Sequence, residues 1–193
     1  MKLPVYLYGH PVLRNESKDV TPDYVDLKKL VADMYETMYF SEGIGLAAPQ
    51  VGRNDRIVVI DAEPVSKTFP ECTGRKLTLI NPEVTVLDGE KVTRAEGCLS
   101  LPGLSENVSR VEHINLKWVD EDFVPHEEEI SGFLARIVMH ECDHLDGHLY
   151  IDHVSPIRRQ LIRNKLNAIV TGRIACDYPV KYAPKKHKNS NGR

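Results

Sequence analysis

The chain has 193 residues, of which 41% are hydrophobic and 27% are charged, with a formal net charge of −3. This composition is typical of one soluble globular domain with a sizeable core. No apolar run reaches the length of a membrane span, residues 1–6 lack signal-peptide features, and the four cysteines show no paired spacing. We therefore expect a cytoplasmic protein with reduced thiols and no membrane partner.

The first third of the chain predicts an N-terminal helix and a buried strand. Thr21 suits the N-cap, Pro22 suits the first helical position, and apolar residues recur at helical spacing up to Phe40. Residues 56–61 are mostly apolar, which predicts a buried strand. Residues 62–75 contain prolines, a glycine and several polar residues, and they predict a loop.

The middle of the chain predicts further strands. Residues 76–87 are rich in apolar and β-branched side chains, and the pair Asp88-Gly89 predicts a hairpin that returns near residues 91–95. A second antiparallel pair is predicted over residues 111–119 and 123–130. A run of strands followed by a helix indicates an α+β fold, with antiparallel sheets packed around a central helix between an N-terminal and a C-terminal helix.

The C-terminal part is basic. Ser155 and Pro156 predict the start of a last helix that ends near Ile169. Residues 154–193 hold ten lysines and arginines against one acid, a charge of +9, so the remainder of the chain carries −12. We expect a single domain over residues 1–177 and a basic, disordered tail over 178–193. An anionic partner such as ribosomal RNA suits this charge, and a solvated tail that aids solubility is the alternative.

The pattern H-E-x-x-H lies at residues 140–144. Ser131 suits an N-cap and Gly147 follows the last histidine, so the sequence predicts a helix between them. Residues four apart on a helix are neighbours on one face, so the two histidines can bind one metal ion with Glu141 beside it. They share the apolar face, whereas Arg136 and Cys142 project on the opposite side. Two core histidines held by ordinary hydrogen bonds are the alternative.

A catalytic site of this kind usually has three protein ligands and an open position. His148 and His153 follow the helix, but neither fits the longer H-E-x-x-H-x-x-G-x-x-H pattern, because position 150 is tyrosine. Cys98 follows a glycine at the end of a predicted strand, so it is the better third ligand. A small buried thiol is the usual role of such a cysteine and remains the alternative.

A glycine-rich segment, G-I-G-L-A-A-P-Q, occupies residues 43–50. Its two glycines allow the backbone to approach a ligand closely. It lacks the Gly-Lys-Ser/Thr ending of a phosphate-binding loop. A tight helix-to-strand turn is the alternative interpretation of this segment.

Three segments together resemble the peptide deformylase family. Its patterns are G-φ-G-φ-A-A-x-Q, E-G-C-φ-S and H-E-x-D-H-φ-x-G, where φ is apolar. They are complete here over residues 43–50, 96–100 and 140–147, in that order. The leading helix and the closing basic helix fit the helical C-terminal form of the family. Residues 62–75 look like an insertion, and the lysine-rich tail is not covered.

The resemblance implies a hydrolase that removes the formyl group from the N-terminal formyl-methionine of newly made proteins and releases formate. It implies that Cys98, His140 and His144 bind one divalent metal ion and that Glu141 is the general acid/base. These ligand types favour zinc. The resemblance implies Fe²⁺ natively, with zinc, nickel or cobalt replacing it in preparations.

The resemblance also implies that Gln50 and the backbone N–H of Leu99 hold the oxyanion of the substrate. The expected peptide-binding residues are Gly43, Ile44, Gly45, Gly97, Phe133 and Ile137. Formyl-methionyl nascent peptides are the implied partners, and a monomer is expected. A zincin-type endopeptidase and a structural metal site in an interaction module are the competing hypotheses.

Acids next to the proposed ligands are candidates to orient them. Glu96 and Asp143 could hold histidines or an arginine, with Arg94 and Arg110 as partners. Ordinary surface pairing is the alternative.

Overall fold

The computed structural model describes residues 1–184; the part of the predicted tail at 185–193 lies outside the described residues. The helices are α1 (Leu27–Phe40), α2 (Gly132–Leu145), α3 (Pro156–Leu161) and α4 (Arg163–Val170). The strands are β1 (Val5–Tyr6), β2 (Gly45–Ala47), β3 (Ile57–Asp61), β4 (Lys76–Val86), β5 (Lys91–Gly97), β6 (Ser105–Val111), β7 (His113–Val119), β8 (Pro125–Ser131) and β9 (Val180–Lys181). Short 3-10 segments lie at Pro11–Arg14, Ala48–Val51, Glu63–Val65, Pro70–Cys72 and Tyr150–His153.

The largest sheet has five antiparallel strands in the order β2-β3-β4-β7-β8. β5 pairs with β6 in a separate antiparallel hairpin, and β1 pairs in parallel with β9. The predicted α+β class is confirmed, as is the antiparallel pairing of β7 with β8. β2 lies at an edge of the large sheet, which leaves one side of this short strand without a strand neighbour among the described residues.

Both faces of the large sheet are covered by helices. Val58 and Ile60 of β3 belong to the core that contains the apolar residues of α2, whereas Ile57 and Val59 belong to the core under α1. Successive side chains of a strand point to opposite faces, so a strand between two helices must be apolar at every position. The continuous apolar run of β3 therefore follows from its central place, and α2 is fixed against the sheet.

Helix α1 begins at Leu27, five residues later than the first helical position predicted at Pro22. The backbone N–H of Tyr24 donates to the carbonyl of Thr21 at 3.0 Å, which closes a turn. Asp26 then adopts a left-handed φ of 61° immediately before the first helical residue. The cap-like Thr21 and Pro22 therefore start a turn, and the prediction of a helix from this point is wrong.

The hairpin predicted at Asp88-Gly89 is also wrong. β4 pairs with β7, and β5 pairs with β6, so the turn separates two different sheets. Strand β6 was not predicted because its inward positions include charged Glu106 and Arg110, both buried, on either side of Val108. A turn signal is local, whereas the choice of partner strand depends on which pairing buries the apolar face.

The C-terminal region differs from the prediction at two points. The last helix is broken at Ile162 into α3 and α4, although the Ser155 hydroxyl caps it as expected by accepting from the Arg158 N–H. The disordered tail was predicted from Tyr178. Instead Val180 and Lys181 pair with β1, because β1 offers an unpaired edge.

Helix α2 begins where predicted, but its cap comes from elsewhere in the chain. The Ser131 side chain makes no capping hydrogen bond. The Phe133 N–H instead donates to Glu71 Oε1 at 2.7 Å, and Phe69 stacks on the Phe133 ring at 4.0 Å between centroids. Gly132 has φ 68°, and a Cβ there would lie 2.9 Å from Glu71 Cδ, so glycine admits the carboxylate. The 62–75 segment therefore supports the first turn of α2.

We expect Glu71→Ala to lower the free energy of unfolding by about 1 kcal/mol, because it removes both a cap and a negative charge at a helix N-terminus. Glu71→Gln retains an acceptor oxygen and should lose less. Urea denaturation of the two variants beside the parent chain measures the difference. Equal stability of Glu71→Ala and the parent would contradict this role.

Candidate functional site

Three potential metal ligands converge at one end of α2. Cys98 directly follows β5, while His140 and His144 lie one helical turn apart on α2. Their ligand atoms all lie within 4.8 Å of one another, and this is the one such group found in the described part of the chain. Cys98 Sγ lies 3.3 Å from His144 Nε2. A tetrahedral ion with ordinary metal–sulfur and metal–nitrogen bonds separates such atoms by about 3.5 Å, so the donor set fits an ion.

The outer nitrogen of His140 is held by a carboxylate. His140 Nδ1 lies 2.9 Å from Glu96 Oε2, which directs Nε2 towards the cysteine. Glu96 also accepts from Arg110 Nε at 2.8 Å and Arg136 Nη1 at 2.6 Å. Burial would raise the pKa of Glu96, but the hydrogen bonds from His140 and Arg110 hold that pKa well below its usual range. Glu96 therefore carries a charge that fixes the histidine ring.

The second acid proposed beside the ligands occupies the same network. Asp143 accepts from Arg110 Nη2 at 2.9 Å and lies 2.8 Å from His153 Nε2. The other predicted partner, Arg94, binds Glu112 rather than either of these acids. Arg110 thus links Glu96, which holds His140, to Asp143, which precedes His144 in the chain.

Arg136 lies on the inside of the protein, contrary to the prediction from the helical face. Its side chain is 2% exposed, and it donates to Glu96 and to Glu112 Oε1, each at 2.6 Å. Cys142 is buried in the apolar core as well. The prediction failed because α2 is enclosed on almost all sides, so its two faces do not divide into core and solvent.

Cys98 is suited to metal binding in its ionised form. Burial opposes the charge on sulfur, but His144 and His140 beside it outweigh burial and lower the pKa of the thiol to about 5. The thiolate is the form that binds metals. The alternative ligands are not in the group: His148 is exposed, His153 contacts Asp143, and burial raises the pKa of the Cys142 thiol.

Glu141 lies beside the three ligands without joining them. Its residue is 6% exposed, and Oε2 is buried without a hydrogen-bond partner in the described residues. The carboxylate lies over Gly45, where an added Cβ would sit 2.8 Å from Glu141 Cδ. Burial raises the pKa of Glu141 to about 7, so it can exchange a proton near neutral pH.

Two neutral donors lie next to the sulfur. Gln50 Oε1 accepts from the Ala47 N–H at 2.8 Å, so Nε2 points to Cys98 Sγ at 3.4 Å and Ser100 Oγ at 3.3 Å. The backbone N–H of Leu99 makes no hydrogen bond within residues 1–184. Gln50 therefore offers a donor at the sulfur, and the Leu99 N–H, which directly follows Cys98 in the chain, is free of other described partners.

A cavity of about 710 Å³ opens onto these groups. Its lining contains Cys98, Glu141 and Gln50, together with every residue predicted to bind the peptide: Gly43, Ile44, Gly45, Gly97, Phe133 and Ile137. Gly45 begins the edge strand β2, so a free strand edge borders the cavity. The lining also includes residues 175–178, which sequence reasoning assigned to no site. Among residues 1–184, no helix combines the length and hydrophobicity that a membrane span requires.

Comparison with known proteins identifies the family of this fold and site. The sequence profile described as "Polypeptide deformylase" matches residues 2–160. The peptide deformylase of Flavobacterium psychrophilum is 40% identical, with 96% of this chain and 100% of the relative covered. That of Salinibacter ruber is 41% identical, with 93% and 94% covered. The crystal structure of peptide deformylase from Thermus thermophilus has a TM-score of 0.76 at 38% identity, covering 86% of this chain and 96% of that one. The chain therefore belongs to the peptide deformylase family of enzymes.

Proposed function

We propose that this protein is a metal-dependent hydrolase that removes the formyl group from the N-terminal formyl-methionine of newly synthesised proteins. The observation that carries the proposal is the Glu141 carboxylate, whose Oε2 has no hydrogen-bond partner within residues 1–184, beside three convergent ligands in an open cavity. A catalytic centre keeps a position free for water and substrate, whereas a structural metal site is closed by protein ligands.

Cys98, His140 and His144 would hold one divalent ion. Such an ion supplies Lewis acidity, which lowers the pKa of a water to about 7 and polarises the formyl carbonyl. The thiolate and imidazole donors suit zinc and ferrous iron. We propose Fe²⁺ as the native metal, with Zn²⁺ or another divalent ion able to replace it. Activity measured anaerobically with each metal restored to the metal-free protein tests this assignment.

Glu141 moves the proton. Its Oε2 takes a proton from the attacking water as the new bond to the formyl carbon forms. The same carboxyl then gives a proton to the nitrogen as the C–N bond breaks, so the products are formate and a free amine. A pKa of about 7 suits both directions of transfer at neutral pH.

Gln50 and Leu99 stabilise the negative charge that develops on the formyl oxygen. Gln50 Nε2 contacts only the Cys98 sulfur and the Ser100 hydroxyl, and the Leu99 N–H has no hydrogen-bond partner within residues 1–184, so neither donor is bound to a carboxylate. Removal of one donor from comparable sites costs about 3–4 kcal/mol of transition-state stabilisation. This role accounts for the position of Gln50 beside the Cys98 sulfur and for the lack of another described partner at the Leu99 N–H.

The peptide lies along the free edge of the cavity. The peptide binds the backbone groups of residues 43–45, at the edge strand, and of Gly97, which also lines the cavity. Backbone hydrogen bonds of this kind do not depend on the side chains of the peptide. Ile44, Phe133 and Ile137 form the apolar pocket for methionine. Because Phe69 stacks on Phe133, the 62–75 segment supports this pocket.

Gly45→Ala should lower kcat by about 10²-fold or more while the protein remains folded, because the new methyl group occupies the place of the Glu141 carboxylate. The carboxylate is the end of a flexible side chain, so it can move aside without unfolding the core. Steady-state formate release and thermal melting measure both effects. Full activity of Gly45→Ala would contradict the placement of Glu141 over this glycine.

A panel of formylated and unformylated peptides tests the proposal. We expect formate from formyl-methionyl peptides, no cleavage of internal peptide bonds, and loss of metal and activity in Cys98→Ser. A zincin-type endopeptidase would cleave internal bonds and tolerate Cys98→Ser. A closed structural site would hold metal but fail to bind a hydroxamate, so metal content and hydroxamate titration separate it from an enzyme.

We further propose that the protein is a cytoplasmic monomer that contacts ribosomal RNA through its basic C-terminus. Exposed Arg159, Arg163 and Lys165 on α3 and α4 support this proposal. Salt-dependent co-sedimentation with ribosomes tests it, with the double variant Arg159→Glu/Arg163→Glu expected to sediment less. A truncation that removes residues 185–193 complements the double variant. It keeps β9, which pairs with β1. Unchanged sedimentation of the double variant would refute the contact.

A further inference from the structure

The chain returns to the catalytic cavity after α4. Residues 175–178 line the same cavity as Cys98, Glu141 and Gly45. They lie outside the 2–160 range that the family profile matches. One side of this cavity is therefore formed by a segment beyond the range of the family profile, although the 96% of the chain that aligns with the Flavobacterium psychrophilum relative includes it.

The segment is fixed at its C-terminal end. Tyr178 Oη donates to the Leu99 carbonyl at 2.8 Å, next to the ligand Cys98. The following residues Val180 and Lys181 pair with β1 in parallel. Tyr178 and Val180 also pack on the apolar core that contains Leu101 and Leu104 from the loop after Cys98. The segment is therefore anchored to the loop that carries a proposed metal ligand and an oxyanion donor.

The residues before this anchor carry polar groups that no residue within 1–184 binds, although Cys176 packs on the same apolar core as Tyr178. Within the described residues, the backbones of Ala175, Cys176 and Asp177 make no hydrogen bond. Ala175 and Asp177 are exposed, and Asp177 forms no ion pair in residues 1–184. Arg136, a cation in the cavity lining, is buried and paired with Glu96 and Glu112. Unpaired backbone groups beside a cleft can bind an extended peptide.

The size of the cavity leaves room for such a contact. Its volume of about 710 Å³ falls in the range of roughly 300–1,000 Å³ that holds whole drug-sized ligands. A formyl-methionine alone is smaller than such a ligand. Residues 43–45, which lead into β2, line the cavity. Residues 175–177, from a distant part of the chain, line it as well.

We propose that residues 175–177 bind the part of the formylated peptide that follows the methionine, with Tyr178 anchoring the segment on Leu99. This inference rests on the proposed function and extends it to a second peptide-binding edge. Asp177 makes that edge selective by charge, since its carboxylate attracts a lysine and repels a glutamate in the bound peptide.

The first test reverses the charge at Asp177. The measured quantity is the ratio of kcat/KM for formyl-Met-Lys-Lys-Ser to that for formyl-Met-Glu-Glu-Ser. Asp177→Lys should lower this ratio by about two- to fivefold, the range of exposed ion pairs, and added salt should shrink the difference. Glu90→Lys is the matched control, because it makes the same change in net charge at an exposed turn outside the cavity lining.

The second test places bulk on the segment. Ala175→Trp should lower the ratio of kcat/KM for formyl-Met-Ala-Ser-Ala to that for formyl-Met-Ala by about tenfold, because the longer peptide must pass the indole. Ala32→Trp is the control, since Ala32 is exposed on α1 and does not line the cavity. Thermal melting of all variants checks that both alanine positions tolerate the change.

A shift of either ratio beyond that of its control supports the second peptide-binding edge. If the parent enzyme releases formate but neither ratio differs from its control, this inference is overturned and the proposed function stands. If the parent enzyme with metal releases no formate from any formyl-methionyl peptide, the proposed function fails and the inference fails with it.

Discussion

Glu141→Gln should abolish nearly all formate release while the protein stays folded and keeps one metal ion per chain. Glutamine has the size of glutamate but cannot accept the proton of the attacking water. General acid–base catalysis by one side chain contributes about 10²–10⁴-fold, so kcat should fall by that factor. The three ligands Cys98, His140 and His144 are unchanged, so metal binding should persist.

Stability gives the same variant a second readout. Burying a carboxylate without a hydrogen-bond partner costs free energy, and Glu141 Oε2 has no partner in the described residues. The neutral amide should therefore leave the free energy of unfolding unchanged or raised. Glu141→Asp keeps a carboxylate one methylene shorter, and its kcat should lie between those of the other two proteins.

The three measurements on Glu141→Gln distinguish a role in proton transfer from a role as a ligand or in the structure. Metal analysis, formate release and urea denaturation on Glu141→Gln separate the possibilities. Full activity would remove Glu141 from the chemistry, and loss of the ion would make it a ligand instead. A loss of both activity and stability would assign it to the structure rather than to proton transfer.

The convergence of the three candidate ligands was more predictable from sequence than the pairing of the strands around them. The spacing of His140 and His144 determines their relation on one helix, because a helix is a local structure with a fixed period. The pairing of Cys98 with them depended on elimination and on a family resemblance. The observed 3.3 Å between sulfur and His144 Nε2 agrees with that inference.

The errors share one physical origin, which is that long-range contacts outweigh local signals. Asp88-Gly89 is a strong turn signal in the sequence, yet the chain only bends there and the strands on either side pair with other strands. Glu71 caps α2 from 62 residues away, although Ser131 stands at the cap position. Segment 175–178 reaches the cavity through a two-residue strand too short to leave a periodic pattern.

Arg136→Met should be the most destabilising substitution near the site, lowering the free energy of unfolding by about 3–5 kcal/mol. The Arg136 side chain is 2% exposed and donates to Glu96 and Glu112. It also donates to the carbonyls of Val92 at 2.6 Å and Val108 at 3.0 Å. Methionine fills similar space but leaves two buried carboxylates and two carbonyls with fewer donors.

Arg94→Met is the matched control for this prediction. Arg94 Nε binds the same Glu112 oxygen at 3.0 Å, but the arginine side chain is 37% exposed. Water can replace a donor at that position, so the loss should be about 0–1 kcal/mol. Urea denaturation of both variants gives the comparison, and equal losses would show that burial of Arg136 adds nothing.

The effect of Arg136→Met on the candidate site depends on how many hydrogen-bond donors Glu96 and Glu112 each retain. Glu96 retains Arg110 and His140 when Arg136 is removed, whereas Glu112 retains the half-exposed Arg94. The His140 ring should therefore stay oriented in the fraction of protein that remains folded. We expect Arg136→Met to retain kcat per folded molecule well below its melting temperature. A kcat that falls as far as in Glu141→Gln would place Arg136 in the chemistry rather than in the support of β5, β6 and α2.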